Sequence, residues 1–227
     1  MEIKDYPELI DKTYDWITQR IWDMTTEPRT AGIHLTELIY CLTASYWNRI
    51  MPIPYERQQA LTMALGIGLE RVIVPEEHRA KPGTCEGVDY SPDFWYTDTL
   101  PAELKTTRMG SRKTHEREFP ESWMQQIQGY CYAEKKTEYG LSVVHLMGNY
   151  KPPFPEILAV KFTFTQKELQ DNWDFLTWRK SVYINSFAEQ KPPEPRKWAK
   201  TWECGTETKP MCRYATSLIH CNLWKAK

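Results

Sequence analysis

Between Thr99 and Thr107 the chain reads TLPAELKTT, a short β-prone run in which Glu103 and Lys105 flank Leu104. Side chains alternate faces along a strand, so this reading puts two opposite charges on one face of one strand. An apolar strand interrupted by charge in the middle of a sheet constrains the fold, because neighbouring elements must supply partners for both groups. Ten residues before Glu103 stands Pro92-Asp93, the one Pro-Asp in the chain. Acid-x-Lys occurs five times, opened by Glu2, Glu103, Glu134, Glu189 and Glu207, so that tripeptide alone means little. Its setting, next to a second acid on a neighbouring strand end, gives it meaning. Two carboxylates and an ammonium brought together this way hold a divalent cation through oxygens and set a positive charge beside an attacked phosphate.

Composition narrows the function classes. The 227 residues carry 29 Lys and Arg against 30 Asp and Glu, a net charge of −1. A binder that relies on bulk positive charge is excluded; a local basic groove is not. Residues 105–118 hold five basic side chains against two acids, residues 191–227 eight against three, and residues 1–26 three against six. No apolar run approaches the ~20 residues of a membrane span. The opening MEIKDYPELIDK lacks the apolar core of a signal peptide. The expectation is a cytoplasmic protein without a membrane association, whose thiols are kept reduced. Its six cysteines then need a role other than disulfides.

Apolar spacing predicts helices over 5–24, 35–50 and 56–75, β-prone segments over 86–97 and 99–107, and a helix over 119–134. Strands follow over 139–148 and 157–165, then a long helix over roughly 166–189. From residue 191 the tail is Pro-rich and irregular. The length suits one domain: a helical region over 1–75, an α/β core over 86–190 and a Cys-rich tail over 191–227. This is an α/β plan with a small mixed sheet flanked by helices.

On Asp93, Glu103 and Lys105 the chain resembles the PD-(D/E)XK nuclease superfamily, with its restriction-endonuclease-like core. More narrowly it looks like the RecB-type exonuclease branch that carries an iron–sulfur cluster and includes the CRISPR-adaptation nucleases. Asp89, in GVDYSPDF, rivals Asp93 as the first acid. The resemblance also implies a metal-binding acid on the helix before the sheet. Glu70 in Gly66-Ile-Gly-Leu-Glu70 fits, after a glycine expected to allow close helix packing, although RecB-type members place His there. The branch's Gln-x-x-x-Tyr motif matches Gln126 and Tyr130, which share a helix face; Gln125 and Gln128 stand at the wrong offset. The resemblance implies Mg²⁺ or Mn²⁺ on Glu70, Asp93 and Glu103, with Lys105 and Gln126 placing the attacking water. Arg108, Arg112 and Lys113 would contact the DNA backbone, and His115 in the same loop is a weaker candidate.

Three of the cysteines, Cys204, Cys212 and Cys221, form C-x7-C-x8-C near the carboxyl end. The resemblance joins them to Cys41 as ligands of a [4Fe-4S] cluster, on wider spacing than the family's. Thiolates also suit zinc, which stays the alternative. His220 is a substitute ligand, while Cys85 and Cys131 read as core residues. The resemblance implies a DNA exonuclease, active on single strands or duplex ends, in repair or recombination, with recombination or CRISPR-type partner proteins. An endonuclease on the same fold, and a non-catalytic zinc-stapled DNA-binding subunit, are the alternatives.

Overall fold

A computed structural model describes residues 7–26, 32–152, 154–195, 204–205, 212–216 and 221. Helix α1 (Pro7–Thr26) opens with proline at its first position, where the missing N–H costs nothing. A two-residue strand β1 (Ile33–His34) leads into α2 (Leu35–Ile39), α3 (Leu42–Ile50) and α4 (Arg57–Ile73). The continuous helix expected over 35–50 is broken at Tyr40–Cys41. The cause is Arg179, which takes the carbonyls of Leu38 and Tyr40 as acceptors and so withdraws them from the helix.

The β-prone run over 86–97 is likewise divided. β2 (Gly83–Cys85) and β3 (Val88–Tyr90) form a hairpin through Glu86 and Gly87, both at positive φ, as a tight two-residue turn requires. Trp173 Nε1 donates to Glu86 Oε2 at 2.9 Å and pins the turn. With β1 parallel to β3 these make a three-stranded sheet, β1-β3-β2. Ser91-Pro92 then ends the pairing, since proline has no N–H to give a ladder. β4 (Phe94–Thr97) starts a second sheet, β4-β5-β6-β7, with β5 (Leu100–Thr107), β6 (Glu138–His145) and β7 (Glu156–Thr163).

In this four-stranded sheet β5 and β6 are parallel and central, while β4 and β7 run antiparallel to them at the edges. Between β5 and β6 come the one-turn α5 (Arg112–His115) and α6 (Glu121–Ala133). One face of the sheet presents Leu141 and Val143 to a core shared with Ile127 and Tyr130 of α6 and with Trp173, Leu176 and Tyr183 of α7 (Gln166–Ala188). The other face packs Leu104 and Val144 on Val74, at the end of α4. Glu103 and Lys105 lie on the α6 side, in register with Leu141 and Val143. A short α8 (Arg213–Thr216) docks beside α3: Arg213 donates to Asn48 Oδ1 and to the Ile53 carbonyl. Among the described residues no helix is long and apolar enough to cross a membrane.

Candidate active site

Strand β5 delivers Glu103 and Lys105 to the same face, and α6 brings Gln126 and Tyr130 over them. Lys105 Nζ donates to Glu103 Oε1 at 2.6 Å and to Gln126 Oε1 at 2.8 Å. Gln126 Nε2 donates to the same Glu103 oxygen at 2.9 Å and to the Tyr130 hydroxyl at 2.8 Å. The Tyr130 hydroxyl donates onward to the Ser91 carbonyl at 3.0 Å. The motif residues thus form one hydrogen-bonded chain that ends two residues before Asp93. Asp93 Oδ2 accepts the Leu104 N–H at 2.8 Å, which ties the first acid to the strand that carries the second. The Ala80 N–H donates to the Asp93 carbonyl at 3.2 Å and fixes the backbone there.

Asp89 sits elsewhere. It belongs to the three-stranded sheet, where Thr84 Oγ1 donates to it at 2.7 Å. The Ser91-Pro92 switch between sheets separates the two rival acids, and the one beside Glu103 is Asp93. Gln125 turns away as well, donating to Glu121 on its own helix at 3.0 Å.

Burial dominates the electrostatics of the acids beside Lys105. Glu103 is 2% exposed, and its Oε2 is buried without a hydrogen-bond partner while Oε1 takes two donors. Burial pushes the Asp93 carboxyl up to about 8, and the charges of Glu103 and, more weakly, Glu70 add to the rise. Burial also raises Glu103, against the opposing pull of Lys105. For Lys105 burial works against the ammonium, but Glu103 outweighs it and the net shift is upward. Lys105 answers Glu103 and Arg79 answers Glu70, but a carboxylate oxygen left bare in the interior is costly. Hard carboxylate oxygens of this kind suit Mg²⁺ or Mn²⁺, so the residues fit such an ion. Among the described residues no three Asp, Glu, His or Cys side chains converge on one point as ligands of a shared ion. Each acid is instead turned to a protein partner.

Glu70 shows this most plainly. It stands near the end of α4, where Arg79 Nη1 donates to it at 3.0 Å and, through Nε, to Glu76 at 2.8 Å. Sequence reading missed Arg79, whose partner lies nine residues back, across the end of a helix. Gly66 and Gly68 do not serve close packing as expected. A Cβ built on either meets nothing within 4 Å, so this stretch of α4 beside Glu70 is open.

The basic loop is partly self-neutralised. Arg108, Arg112 and Lys113 are exposed. Arg112 Nε donates to Glu116 at 2.9 Å, and Lys113 lies 4.0 Å from Glu118. His115 meets Glu156 at 2.9 Å.

None of the six cysteines is in a disulfide. Cys41, at the break between α2 and α3, meets Cys204 of the tail. That hydrogen bond, with help from the Ala44 and Thr43 N–H groups at the start of α3, draws its thiol down to about 6 against the effect of burial. Cys212 opens the α8 segment and Cys221 is buried, but neither joins Cys41 and Cys204 in a ligand group among the described residues. Cys131 is buried and pushed up to about 12, and burial raises Cys85. His220 lies outside the described residues.

No protein-family model and no curated protein sequence matches the chain. Solved structures do. The crystal structure of SSO0001 superposes with a TM-score of 0.51 at 14% identity, covering 85% of this chain and 91% of that one. The alkaline exonuclease LHK-Exo from Laribacter hongkongensis gives 0.50 at 14% identity, over 76% of this chain and 96% of that one. The same exonuclease in complex with dAMP gives 0.52 at 11% identity, over 78% and 95%. At such identities the likeness speaks to architecture alone: the chain shares the mixed α/β fold of these structures, two of which are of an alkaline exonuclease.

Proposed function

We propose that the chain is a metal-dependent DNA exonuclease built as a single domain, with Glu70, Asp93, Glu103, Lys105, Gln126 and Tyr130 as its active site. One observation carries the reading. Asp93, Glu103, Lys105 and Gln126 come together from β4's start, β5 and α6 with a buried, unpartnered carboxylate oxygen at their centre. A buried carboxylate oxygen without a side-chain partner is a suitable ligand for a hard cation. The fold shared with LHK-Exo, an exonuclease also solved with dAMP, supports a nucleotide-bearing substrate.

Mg²⁺ or Mn²⁺ held by Asp93, Glu103 and Glu70 would supply Lewis-acid stabilisation of the phosphate and lower the pKa of water. The chain's own residues do the rest. Asp93 and Glu103 would supply hard oxygens; the Leu104 N–H holds the Asp93 carboxylate and the Ala80 N–H its backbone carbonyl. Lys105 stays charged through its bond to Glu103 and stabilises the negative charge that grows on the phosphate. Gln126 locks the Lys105–Glu103 pair in one geometry, and Tyr130 anchors Gln126 to the Ser91 carbonyl. Glu70, which Arg79 pairs in this structure, would contribute its carboxylate to that site only by leaving the pair. Arg108, Arg112 and Lys113 hold the DNA backbone without reading its sequence.

Cys41 with Cys204, Cys212 and Cys221 is proposed to hold a [4Fe-4S] cluster, with zinc as the alternative. The lowered Cys41 thiol and its contact with Cys204 support a metal-competent thiolate pair there. Repair or recombination, with partner proteins on the same DNA, is the proposed setting.

The test is cleavage of end-labelled linear and closed circular DNA, single- and double-stranded, with Mg²⁺, Mn²⁺ or chelator. Release of nucleotides from linear DNA alone, abolished by chelator, is the expected result. Cutting of closed circles would make the enzyme an endonuclease, and no cleavage with either metal would overturn the reading.

A further inference from the structure

Strand β5 ends at Thr107 and runs on into the basic loop. Thr107 is in register with His145 of β6, the next pair along from Lys105 and Val143 on the same face of the sheet. His145 is 0% exposed, and its Nδ1 lies 2.8 Å from the Met109 carbonyl. A carbonyl only accepts, so Nδ1 is assigned the proton. The other ring nitrogen, Nε2, is buried without a hydrogen-bond partner. An apolar side chain would avoid the cost of that bare nitrogen, but it could not hold the carbonyl.

The β6–β7 connection closes on the same stretch. The Tyr150 hydroxyl donates to the Arg108 carbonyl at 3.3 Å, and the Ser111 N–H donates to the Gly148 carbonyl at 2.9 Å. The Met109 N–H donates to Thr107 Oγ1 at 3.0 Å. Gly110 admits the Tyr150 ring, which a Cβ there would meet at 2.7 Å. Tyr150 itself stands at a φ of 60°, a region that a bulky residue occupies only when its surroundings hold it there. The backbone on both sides of Arg108 is thus clamped, while its side chain is exposed. Its neighbours in the loop are answered by acids: Arg112 by Glu116, Lys113 by Glu118 and His115 by Glu156. Among the described residues no carboxylate answers Arg108.

We propose that His145 is a positioning residue for DNA: through the Met109 carbonyl it holds Arg108 ready to grip a phosphate close to the attacked one. The proposal rests on the nuclease reading of the site. Three residues of extended chain span at most about 10 Å, so Arg108 reaches the strand near the phosphate that faces Lys105. A free guanidinium on a fixed backbone loses little freedom when it binds. Arg112 and Lys113 must first leave their glutamates. The loop's grip on DNA is therefore concentrated in Arg108, and His145, buried and unable to touch DNA, acts through it.

The experiment measures binding to a DNA end in chelator, where nothing is cut, over a salt series and with melting curves alongside. Arg108→Ala is expected to weaken binding roughly tenfold and to lower the log–log salt slope by roughly 0.7–0.9, one phosphate contact. Arg112→Ala should move the slope less. His145→Phe should lose the same contact, and the double variant with Arg108→Ala should bind no more weakly than Arg108→Ala alone. His145→Asn returns an N–H near the position of Nδ1 and should recover part of the loss. Tyr150→Phe alters an exposed side chain and serves the same cycle should His145→Phe fail to fold. An unchanged slope in Arg108→Ala would overturn the proposal. Losses that simply add in the double variants would also overturn it, since they would make the clamp merely structural. If wild type binds no DNA, the nuclease reading fails and this inference with it, an outcome distinct from a wild type that binds and an Arg108→Ala that is indifferent.

Discussion

Asp93 is held in a state its own chemistry opposes. In the unfolded chain an Asp titrates near ~4; in the fold burial and Glu103 raise it to about 8. Between those values the unfolded chain has lost a proton that the folded chain keeps, so the stability of metal-free protein falls as pH rises from about 4 to about 8. Asp93→Asn should remove that slope and raise the melting temperature at pH 8 in chelator, by about 2–4 °C for each kcal/mol relieved. The same variant, like Glu103→Ala and Lys105→Ala, should lose cleavage. Melting curves at pH 5 and pH 8 decide it: equal behaviour of Asp93→Asn and wild type at both would show that the acid is not strained. Gln126→Ala should retain metal affinity more than turnover, with kcat down about 10–100-fold. At this scale the sequence shows what strand alternation and helix spacing show. Glu103 and Lys105 are legible two apart, and Gln126 and Tyr130 four apart. Arg79 is not, because it reaches Glu70 through the chain reversal that follows α4.

At the scale of elements, most boundaries follow from apolar period. The misreadings fall where a distant residue overrides local preference. Arg179 divides one predicted helix, and Pro92 divides one predicted β segment between two sheets. That second division settles which acid stands beside Glu103, although nothing near Asp89 marks it as belonging to a separate hairpin. Charge alone marks the loop around α5 as basic, and it hides the internal pairing of Arg112 with Glu116 and of Lys113 with Glu118. Replacing both glutamates by glutamine should therefore tighten DNA binding at low salt. Replacing Arg108, Arg112 and Lys113 should weaken it on all sequences alike and flatten the log–log salt dependence by roughly 0.7–0.9 for each phosphate no longer neutralised. Binding isotherms over a salt series check both, and unchanged slopes would mean that the loop is merely solvated. The open glycines of α4 belong here too. Gly66→Ala and Gly68→Ala should each add about 0.5–1 kcal/mol to stability, since alanine suits a helix better and meets no neighbour. A loss of cleavage in either variant would show that the bare backbone beside Glu70 makes room for substrate.

Across the whole molecule the tail returns to the first helices. Arg213 grips Asn48 and Ile53, and Cys204 meets Cys41, more than 160 positions away in sequence. Metal binding across so long a closure would become part of the folding free energy. Protein purified without oxygen should be brown, with about four irons and four sulfides per chain. Serine at Cys41, Cys204, Cys212 or Cys221 should cost colour and solubility together, while Cys85→Ser and Cys131→Ser keep both. One zinc in a colourless preparation would replace the cluster and leave the nuclease proposal standing. The architecture is legible from the order of the elements, whereas the return of the tail is visible only as a cysteine count, because irregular Pro-rich chain has no period to read. In mechanical terms the return makes the chain a loop shut by a clasp. An unfoldase that pulls on the tail would meet the contacts of Arg213 with Asn48 and Ile53 and of Cys204 with Cys41. Such a pull would load these two contacts first among the described ones, far from the strands that carry the proposed site.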